Sequence, residues 1–395
     1  MVSVAQATEI IQSHGYRPRK CVVPVGDAVG RILAEDILCD RDFPPFDRAA
    51  MDGIAIAHLA WTKGARVFPI ESIQSAGAAR QVLTHETHCI EIMTGAILPE
   101  GTDTIVRYED IVISNGAATL TIGNISRYQN VHRRAQDASR GDVLLTPGTL
   151  ISPAEVALLA TVGNAVVPVF SLPNAAVVST GNELVDITSV PEIHQIRRSN
   201  TYALEAAMKQ SCWKALQYHV TDEKEMLASS LGKIIHEHEV IILSGGVSKG
   251  KFDYVPQVLE EIGIKKMFHQ VRQRPGKPFW FGVGDNTFVF ALPGNPVSTY
   301  MCYYRYIRPW LLKSLRVLQE PMFAALASDV TFTPELTYFL QVGIKNERGR
   351  LMAHPKAGGG SGDLGNLKDV DGFLELPVDR SFFAAGEVFP FVPFR

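Results

Sequence analysis

Residues 175–183 read AAVVSTGNE, a short and nearly all-apolar run that ends in a polar turn containing glycine. A run of this kind predicts a strand buried on both faces of a parallel sheet. Two further apolar runs follow at residues 240–243 and 288–292, and helix-spaced apolar residues lie between them. This alternation of strands and helices predicts an α/β domain with a mostly parallel sheet.

The helices of this domain are predicted from apolar residues spaced three and four apart. Leu204 begins the first such stripe, Leu227 the second and Val255 the third. Thr221 or Asp222 is placed to cap the second helix. The stripes therefore predict helices that pack against the sheet.

The sequence on either side of this stretch follows other patterns. Upstream, an apolar stripe from Val4 to Ile11 and a capping box at residues 152–155 each predict a helix. Between them, residues 45–139 read as short strands broken by turns, and we interpret them as an inserted β domain. Downstream, residues 328–395 alternate in period two with glycine-rich breaks, which predicts an all-β domain.

Length and charge limit the class of protein. A chain of 395 residues predicts two to four domains. The net charge of -3 gives no overall basic field for nucleic acid or an anionic membrane, and no apolar run approaches the ~18 residues of a membrane span. The N-terminus lacks a signal-peptide pattern, and five scattered cysteines fit a reducing compartment. We therefore predict a cytoplasmic protein without nucleic-acid or membrane partners.

Polar loops follow three of the predicted strands, and ligands of open α/β sheets bind at the carboxyl ends of the strands. The loops are STGNE at 179–183, SGGVSKG at 244–250 and LPGNPVS at 292–298. Glycines in the second loop let backbone N–H groups converge on an anion, and the third loop leads into a helix N-terminus. Two phosphate-type sites in one crevice indicate a pyrophosphate, or a phosphate plus another oxyanion. The candidate binding residues are Ser179, Thr180, Gly181, Gly245, Gly246, Val247, Ser248, Pro293, Gly294 and Asn295.

Three acidic residues, Glu183, Asp222 and Asp253, fall at strand ends of the same predicted sheet. Taken singly, Asp222 and Asp253 fit helix N-caps, and Glu183 fits an ordinary surface loop. Together, beside phosphate-type loops, they predict a Mg²⁺ site, because this hard cation takes oxygen ligands and bridges phosphates. In the turn RPGKP at 274–278, two cations bracket Pro-Gly, an arrangement suited to an oxyanion.

Three further motifs carry less weight. Residues 245–251 match the P-loop pattern, but Phe252 stands where a P-loop has serine or threonine, so an NTPase remains an alternative. Residues 360–365 match the dinucleotide fingerprint but lie in the β-rich tail without a following helix pattern. The segment 85–89, with two histidines and a cysteine, lacks a clear fourth metal ligand, and we assign it no role.

Six segments together resemble the molybdopterin molybdenumtransferase (MoeA) family, which includes the gephyrin E domain. They are AMDG at 50–53, MTGA at 93–96, STGNEL at 179–184, SGGVS at 244–248, PGKP at 275–278 and PGNPVS at 293–298. Their order and spacing match that family over nearly the whole chain, whereas the α/β domain alone also resembles molybdopterin adenylyltransferases. The flanking domains therefore favour the first family.

The resemblance implies an L-shaped homodimer of four-domain subunits. The implied domains are a small α+β N-terminal domain at 1–44 and 140–173, an inserted β domain at 45–139, a MogA-like α/β molybdopterin-binding domain at 174–318 and a β-barrel-like C-terminal domain at 319–395. The implied reaction takes adenylylated molybdopterin and molybdate, uses Mg²⁺, and releases molybdenum cofactor and AMP. A molybdopterin adenylyltransferase is a candidate partner that hands over the substrate.

The resemblance also implies roles for individual residues. Glu183, Asp222 and Asp253 match acidic residues of the active-site crevice. Residues of the inserted β domain that match functional positions, and that reach the crevice of the other chain, are Asp52, Thr94 and Asp137. Positions associated with the substrate and molybdate region are Arg274, Lys277, Ser298 and Ser361.

One departure from the family concerns charge. Gln341 stands where the family often has arginine, and Arg348 and Arg350 are the candidates to replace that charge. We therefore expect weaker molybdate binding than in a typical family member. A scaffold role without turnover, as the gephyrin E domain also has, and a P-loop-type NTPase remain the alternative functions.

Overall fold

A computed structural model describes residues 1–248, 253–356 and 360–395. The elements before residue 175 are α1 (Val4–Ser13), β1 (Lys20–Pro24), β2 (Ile37–Leu38), β3 (Arg48–Ala49), β4 (Gly53–Ile56), α2 (His58–Thr62), β5 (Val67–Gln74), β6 (Cys89–Ile92), β7 (Thr104–Arg107), β8 (Ile111–Ser114), β9 (Ala117–Leu120), β10 (Val131–His132), β11 (Val143–Leu145), α3 (Pro153–Thr161) and β12 (Val166–Phe170).

The later elements follow in chain order. They are β13 (Ala175–Thr180), β14 (Leu184–Val185), β15 (Ile196–Arg197), α4 (Asn200–Lys209), β16 (Ala215–Val220), α5 (Lys224–Glu237), β17 (Val240–Ser244), α6 (Val255–Glu261), β18 (Lys265–His269), β19 (Gln273–Arg274), β20 (Trp280–Val283), β21 (Phe288–Leu292), α7 (Pro296–Cys302), α8 (Arg308–Ser314), β22 (Met322–Leu326), β23 (Val330–Thr331), β24 (Thr337–Glu347), β25 (Arg350–Pro355), β26 (Gly372–Leu376), β27 (Phe382–Phe383) and β28 (Val388–Pro393). A π-helical turn, Tyr303–Ile307, joins α7 to α8.

The chain divides into two compact units. The first comprises Met1–Ala34, Pro147–Ser152 and Val167–Arg395, and the second comprises Glu35–Thr146 and Pro153–Val166. Across the described ranges, no helix combines the length and apolar character that crossing a membrane requires.

The α/β sheet of the first unit has the strand order β16-β13-β17-β21-β20-β18. The first four strands are parallel, and β20 and β18 run antiparallel to their neighbours. Every residue of β13 and β17 is buried, because helices cover both faces of the sheet. The mostly parallel α/β domain predicted from the sequence is therefore confirmed.

Alternate residues of the central strands point to two different cores. Val177 and Ile242 pack in one core with α4, α7 and α8, whereas Val178 and Ile241 pack in the other with α5 and α6. This division follows from the period of two along a strand, which directs successive side chains to opposite faces. The carboxyl ends of the parallel strands lie at one edge of this layered domain.

The predicted cap of α5 is wrong. Its N-cap is Glu223, whose side chain makes no capping hydrogen bond. The backbone N–H of Asp222 instead donates to the Asn182 side chain at 3.1 Å, because this segment is tied to the loop after β13. The N-cap of α6 is Tyr254, so neither Asp222 nor Asp253 occupies an N-cap position.

The C-terminal part of the first unit is a closed barrel. Its strand order is β24-β25-β22-β28-β26, and an additional pairing of β26 with β24 closes the ring. The short strand β19 also joins β24, in parallel, with Arg274 opposite Tyr338. The all-β C-terminal domain is confirmed, and β19 ties the turn at 274–278 to it.

The second unit is built on a six-stranded sheet of order β7-β4-β6-β5-β9-β8. Its core contains Ile54 and Ile56 from β4 together with Phe68 from β5. Asn115 and Gly116 have φ values of 51° and 73°, the left-handed conformations of a tight hairpin turn, and they join β8 to β9. The hairpin predicted there is therefore confirmed.

Candidate active site

The three polar loops meet in one cavity of about 590 Å³ at the carboxyl ends of the sheet. All ten candidate binding residues of these loops line it, as do the acidic residues Glu183, Asp222 and Asp253. We call it the strand-end cavity. Lys249, Gly250, Lys251 and Phe252 of the P-loop-like motif lie outside the described residues.

The glycines of the second loop bring its backbone against the first loop. Gly245 and Gly246 have φ values of 107° and 68°, which other residues rarely adopt. A Cβ at Gly245 would lie 2.8 Å from the Thr180 carbonyl oxygen, and one at Gly246 would lie 2.6 Å from a methyl of Val255. Only glycine therefore lets this backbone line the cavity, and consecutive backbone N–H groups in such a turn form a concavity for anions.

Asn200, which our sequence analysis missed, fastens two of the loops. Its Nδ2 donates to Ser244 Oγ at 2.8 Å and to the Gly294 carbonyl oxygen at 2.7 Å. The only local signal was an asparagine four residues before Leu204, where that helical stripe begins. Asn200 therefore ties the end of β17 to the loop after β21, so two of the three loops that line the cavity are joined through its side chain.

The three acidic residues interact electrostatically. Burial raises the pKa of Asp222, and the negative charges of Glu183 and Asp253 raise it further. The Glu183 carboxylate folds over Gly181, where its Oε2 would lie 2.7 Å from an added Cβ. Within residues 1–248, 253–356 and 360–395, no three acidic, histidine or cysteine side chains converge as a ready-made metal group. The donor chemistry fits a hard cation, which would relieve this repulsion, but the ligands are not preassembled.

A second cavity of about 470 Å³ adjoins the first, and we call it the barrel cavity. It is lined by Arg274, Gln341, Lys356 and Ser361, among others. The segments 275–278, 296–297 and 360–362 each contribute residues to both cavities. Asn295 Nδ2 also donates to Ser361 Oγ at 2.7 Å, so a hydrogen bond joins the two walls.

Two predicted residues of this region line neither cavity. The Lys277 side chain is exposed on the turn between them, and its carbonyl oxygen accepts from Val271 and Phe279. Ser298 is buried in α7, directly after Val297 of the barrel cavity wall. The structure thus gives Arg274 and Ser361 direct access to the barrel cavity.

Arg348 and Arg350 do not replace a charge at Gln341. They lie at the far end of the β24–β25 hairpin, about 20 Å from Gln341 along the strand, and Arg350 donates to the Gly386 carbonyl oxygen at 2.6 Å. Lys356, which the sequence analysis missed, is the cation beside Gln341, because its backbone N–H donates to the Gln341 carbonyl oxygen at 2.9 Å. Only the register of β25 on β24 revealed this neighbour.

In the second unit, Asp52 and Thr94 are in contact. Asp52 Oδ1 accepts from the Thr94 backbone N–H at 2.6 Å and from its hydroxyl at 2.8 Å, and these bonds lower the pKa of Asp52. Asp137 is paired instead with His132, at 2.8 Å. The structure therefore brings two of these three candidate residues together.

The segment 85–89 belongs to a hydrogen-bonded cluster around Glu71. Burial opposes ionisation of Glu71, but bonds from the Thr84 hydroxyl and amide and the His85 amide outweigh it and lower its pKa to about 2. His88 also bonds to Glu71, at 3.0 Å. Burial raises the pKa of Cys89 to about 12, and its thiol donates to the Phe68 carbonyl oxygen. These contacts account for the segment structurally.

We expect Glu71→Ala to lower the free energy of unfolding by about 1–3 kcal/mol at pH 7, because it removes the acceptor of four hydrogen bonds, one of them from the partly buried His88. Since the folded pKa of about 2 lies below the ordinary value of 4.5, the ionised carboxylate stabilises the fold above pH 4.5. This contribution is lost as pH falls from 4.5 to 2. Urea unfolding across this range measures it.

Glu86→Ala is the matched control for this variant, because Glu86 makes only an exposed ion pair with Lys63. Such pairs contribute about 0–1 kcal/mol. Wild-type stability of the Glu71 variant at pH 7 would show that the cluster does not stabilise the second unit.

These features define a multidomain α/β protein whose strand-end cavity is lined by glycine-rich loops and acidic residues, beside a barrel cavity lined by Arg274 and Lys356. Three family profiles match the chain: "MoeA N-terminal region (domain I and II)" over residues 2–163, "Probable molybdopterin binding domain" over 176–313, and "MoeA C-terminal region (domain IV)" over 324–394.

Known proteins agree with these profiles over most of their length. The chain is 38% identical to the molybdopterin molybdenumtransferase of Synechocystis sp., over 99% of each chain, and 31% identical to that of Bacillus subtilis, over 92% of this chain and 87% of that one. The solved structure of the molybdopterin biosynthesis MoeA protein from Pyrococcus horikosii is similar, with a TM-score of 0.84, 30% identity and coverage of 100% and 99%. The chain belongs to the molybdopterin molybdenumtransferase family of transferases.

Proposed function

We propose that this enzyme of molybdenum cofactor biosynthesis transfers molybdate to adenylylated molybdopterin and releases molybdenum cofactor and AMP. The observation that carries the proposal is the pair of adjoining cavities, which share the segments 275–278, 296–297 and 360–362. One cavity offers glycine-rich loops suited to phosphates, and the other offers cations and a hydroxyl suited to an oxyanion. Two substrates in these cavities would meet at the shared wall.

The residues of the strand-end cavity have distinct tasks in this proposal. The Gly245–Gly246 backbone and the Pro293–Asn295 loop bind the phosphates of adenylylated molybdopterin. Asn200 keeps these two loops together through its bonds to Ser244 and Gly294. Fixed backbone donors bind phosphate without having to reorganise. They therefore stabilise the transition state better than donors that must first become ordered.

The residues of the barrel cavity bind molybdate in this proposal. Molybdate is a tetrahedral dianion that water solvates strongly, so its site must supply several donors and positive charge. Arg274 and Lys356 bring charge, and Ser361 brings a hydroxyl that lies within reach of Asn295. Lys277 adds charge at the turn, and Ser298 lies behind the wall.

Mg²⁺ is part of the proposal, and Glu183, Asp222 and Asp253 are the residues that would hold it. The raised pKa of Asp222, to which burial and the other two carboxylates contribute, supports a cation at this point. When bound, Mg²⁺ would neutralise negative charge on the pyrophosphate of the substrate. The three carboxylates would hold the cation near the phosphate loops, with which they share the lining of the strand-end cavity.

The test of this function is release of AMP from adenylylated molybdopterin by the purified protein, with Mg²⁺ and with or without molybdate. We expect molybdate-dependent release. Steady hydrolysis of ATP or GTP without molybdopterin would favour the P-loop-type NTPase instead. Tight binding of molybdopterin with no release of AMP under any condition would favour the scaffold role.

We also infer a cytoplasmic homodimer that receives its substrate from a molybdopterin adenylyltransferase, and in which Asp52, Thr94 and Asp137 act on the partner copy. Mixing Asp52→Ala with Asp253→Asn under subunit exchange should restore about a quarter of wild-type activity, because half of the pairs are mixed and each has one intact site. If a demonstrated mixed dimer shows no activity, the residues of one copy do not complete the site of the other, and this part of the proposal is wrong.

A further inference from the structure

The side chain of Arg198 places a positive charge in the wall of the strand-end cavity. No sequence motif includes this residue. It follows β15 directly and precedes α4, whose first residue is Asn200. Its side chain is 16% exposed and lines the cavity together with the glycine-rich loops. Asn200 fastens the same segment to Ser244 and Gly294, so the position of Arg198 relative to the phosphate loops is fixed.

The guanidinium of Arg198 is held from behind by a network. Its Nη2 donates to the Asp186 carboxylate, and Asp186 in turn accepts from the Thr188 amide at 3.1 Å and hydroxyl at 2.8 Å. The Tyr202 hydroxyl lies 3.5 Å from the same carboxylate. An arginine has five N–H donors, and one carboxylate oxygen engages a minority of them. Among the described residues, Asp186 is the group to which the Arg198 side chain donates, and this bond fixes the direction of the planar guanidinium.

The positive charge of Arg198 lies in a cavity wall whose other charged groups are mostly negative. The cavity wall contains the carboxylates of Glu183, Asp222 and Asp253, and their negative field repels a phosphate. Among the described residues of this wall, the cations are Arg197 and Arg198. Arg197 is exposed on β15, with its Nε bonded to the Ser189 carbonyl oxygen. Arg198 is therefore the cation with a defined place beside the phosphate loops.

A second observation gives the reach of this charge. The pKa of His219 is lowered, first by burial and then by the positive charge of Arg198. His219 lies near the end of β16, where its Nδ1 is 3.0 Å from Ser179 Oγ, and Ser179 lines the cavity. Arg198 therefore lies close enough to the strand ends for its charge to act on His219, where the charges of Asp222 and Glu183 act in the opposite direction.

We propose that Arg198 binds a phosphate oxygen of the nucleotide half of the substrate and so selects for substrates with a charged phosphate over uncharged ones. This inference rests on the proposed function for the identity of the substrate. The planar guanidinium suits two neighbouring oxygens of one phosphate, and Asp186 positions it. The carboxylates and Arg198 therefore have complementary tasks, the first toward a cation and the second toward an anion.

The test is binding of AMP and of adenosine, measured by calorimetry on the full chain. We expect Arg198→Ala to weaken AMP binding at least about tenfold, the factor for about 1.4 kcal/mol, and to leave adenosine binding unchanged. Arg197→Ala, its neighbour in the same wall, should change AMP binding less than threefold. Arg198→Lys should fall between, because it keeps the charge but loses the planar fork.

Unchanged AMP binding in Arg198→Ala, with wild-type thermal unfolding, would overturn the proposal, as would equal losses for AMP and adenosine. If Arg198→Ala unfolds early, Arg198→Lys and Arg198→Gln provide the same comparison with less loss of packing. Arg198-dependent AMP binding without molybdate-dependent AMP release would contradict the proposed function and leave this inference standing. Molybdate-dependent release of AMP by the wild-type protein, with unaltered AMP affinity in Arg198→Ala, would support the proposed function and contradict this inference.

Discussion

Asp253→Asn should abolish Mg²⁺-dependent release of AMP, with a loss of at least about a hundredfold, which corresponds to about 2.7 kcal/mol. The change keeps the shape of the side chain and removes one anionic oxygen, which weakens a site for a hard cation. Asp253 lines the strand-end cavity, and its negative charge contributes to the raised pKa of Asp222. The measurement is AMP release as a function of Mg²⁺ concentration.

The fold should survive this change. The N-cap of α6 is Tyr254, so the substitution does not fall at the N-cap position of that helix. Asp285→Asn is the matched control, because Asp285 is exposed in the turn between β20 and β21, at the opposite edge of the sheet. Wild-type turnover of the Asp253 variant, or an equal loss in the control, would exclude Asp253 from the metal site.

Lys277→Ala should raise the molybdate concentration that gives half-maximal AMP release at least about tenfold. A charge-assisted hydrogen bond contributes about 1.5–3 kcal/mol, and loss of one predicts a shift of this size. Gln341 is neutral, with its side-chain oxygen accepting from Asn366 at 3.2 Å, so each remaining cation carries a larger share of molybdate binding. AMP release against molybdate concentration, at saturating adenylylated molybdopterin, provides the measurement.

Two lysine variants sharpen this test. Lys345→Ala removes an exposed charge of β24 and should leave the molybdate requirement unchanged. Lys356→Ala removes a charge from the barrel cavity wall and should raise the requirement as Lys277→Ala does. If Lys356→Ala raises the molybdate requirement and Lys277→Ala does not, Lys277 is not part of the molybdate site, and Lys356 provides the positive charge there.

The strand-end loops could be predicted because their signals are local. A buried parallel strand reads as a continuous apolar run, and the residues that follow it must lie at the edge where ligands bind. The glycines at 245 and 246 were also a local signal, because a glycine pair after a strand predicts a tight turn. Their positive φ values and the contacts that a Cβ would make agree with glycine at both positions. Elements with weak patterns were missed, such as the edge strand β16, whose exposed residues break the apolar run.

The sequence alone was sufficient for the α/β class of the central domain, the all-β tail and the loops that line the strand-end cavity. The neighbours of these loops required the tertiary structure. Asn200 bonds to Ser244 and Gly294, which lie 44 and 94 positions further along the chain. The pattern of residues along the sequence does not predict such a contact. Lys356, rather than Arg350, lies beside Gln341 because β25 pairs with β24 in one register. Side-chain partners are set by packing between distant segments, whereas secondary structure is set largely by residues close in sequence.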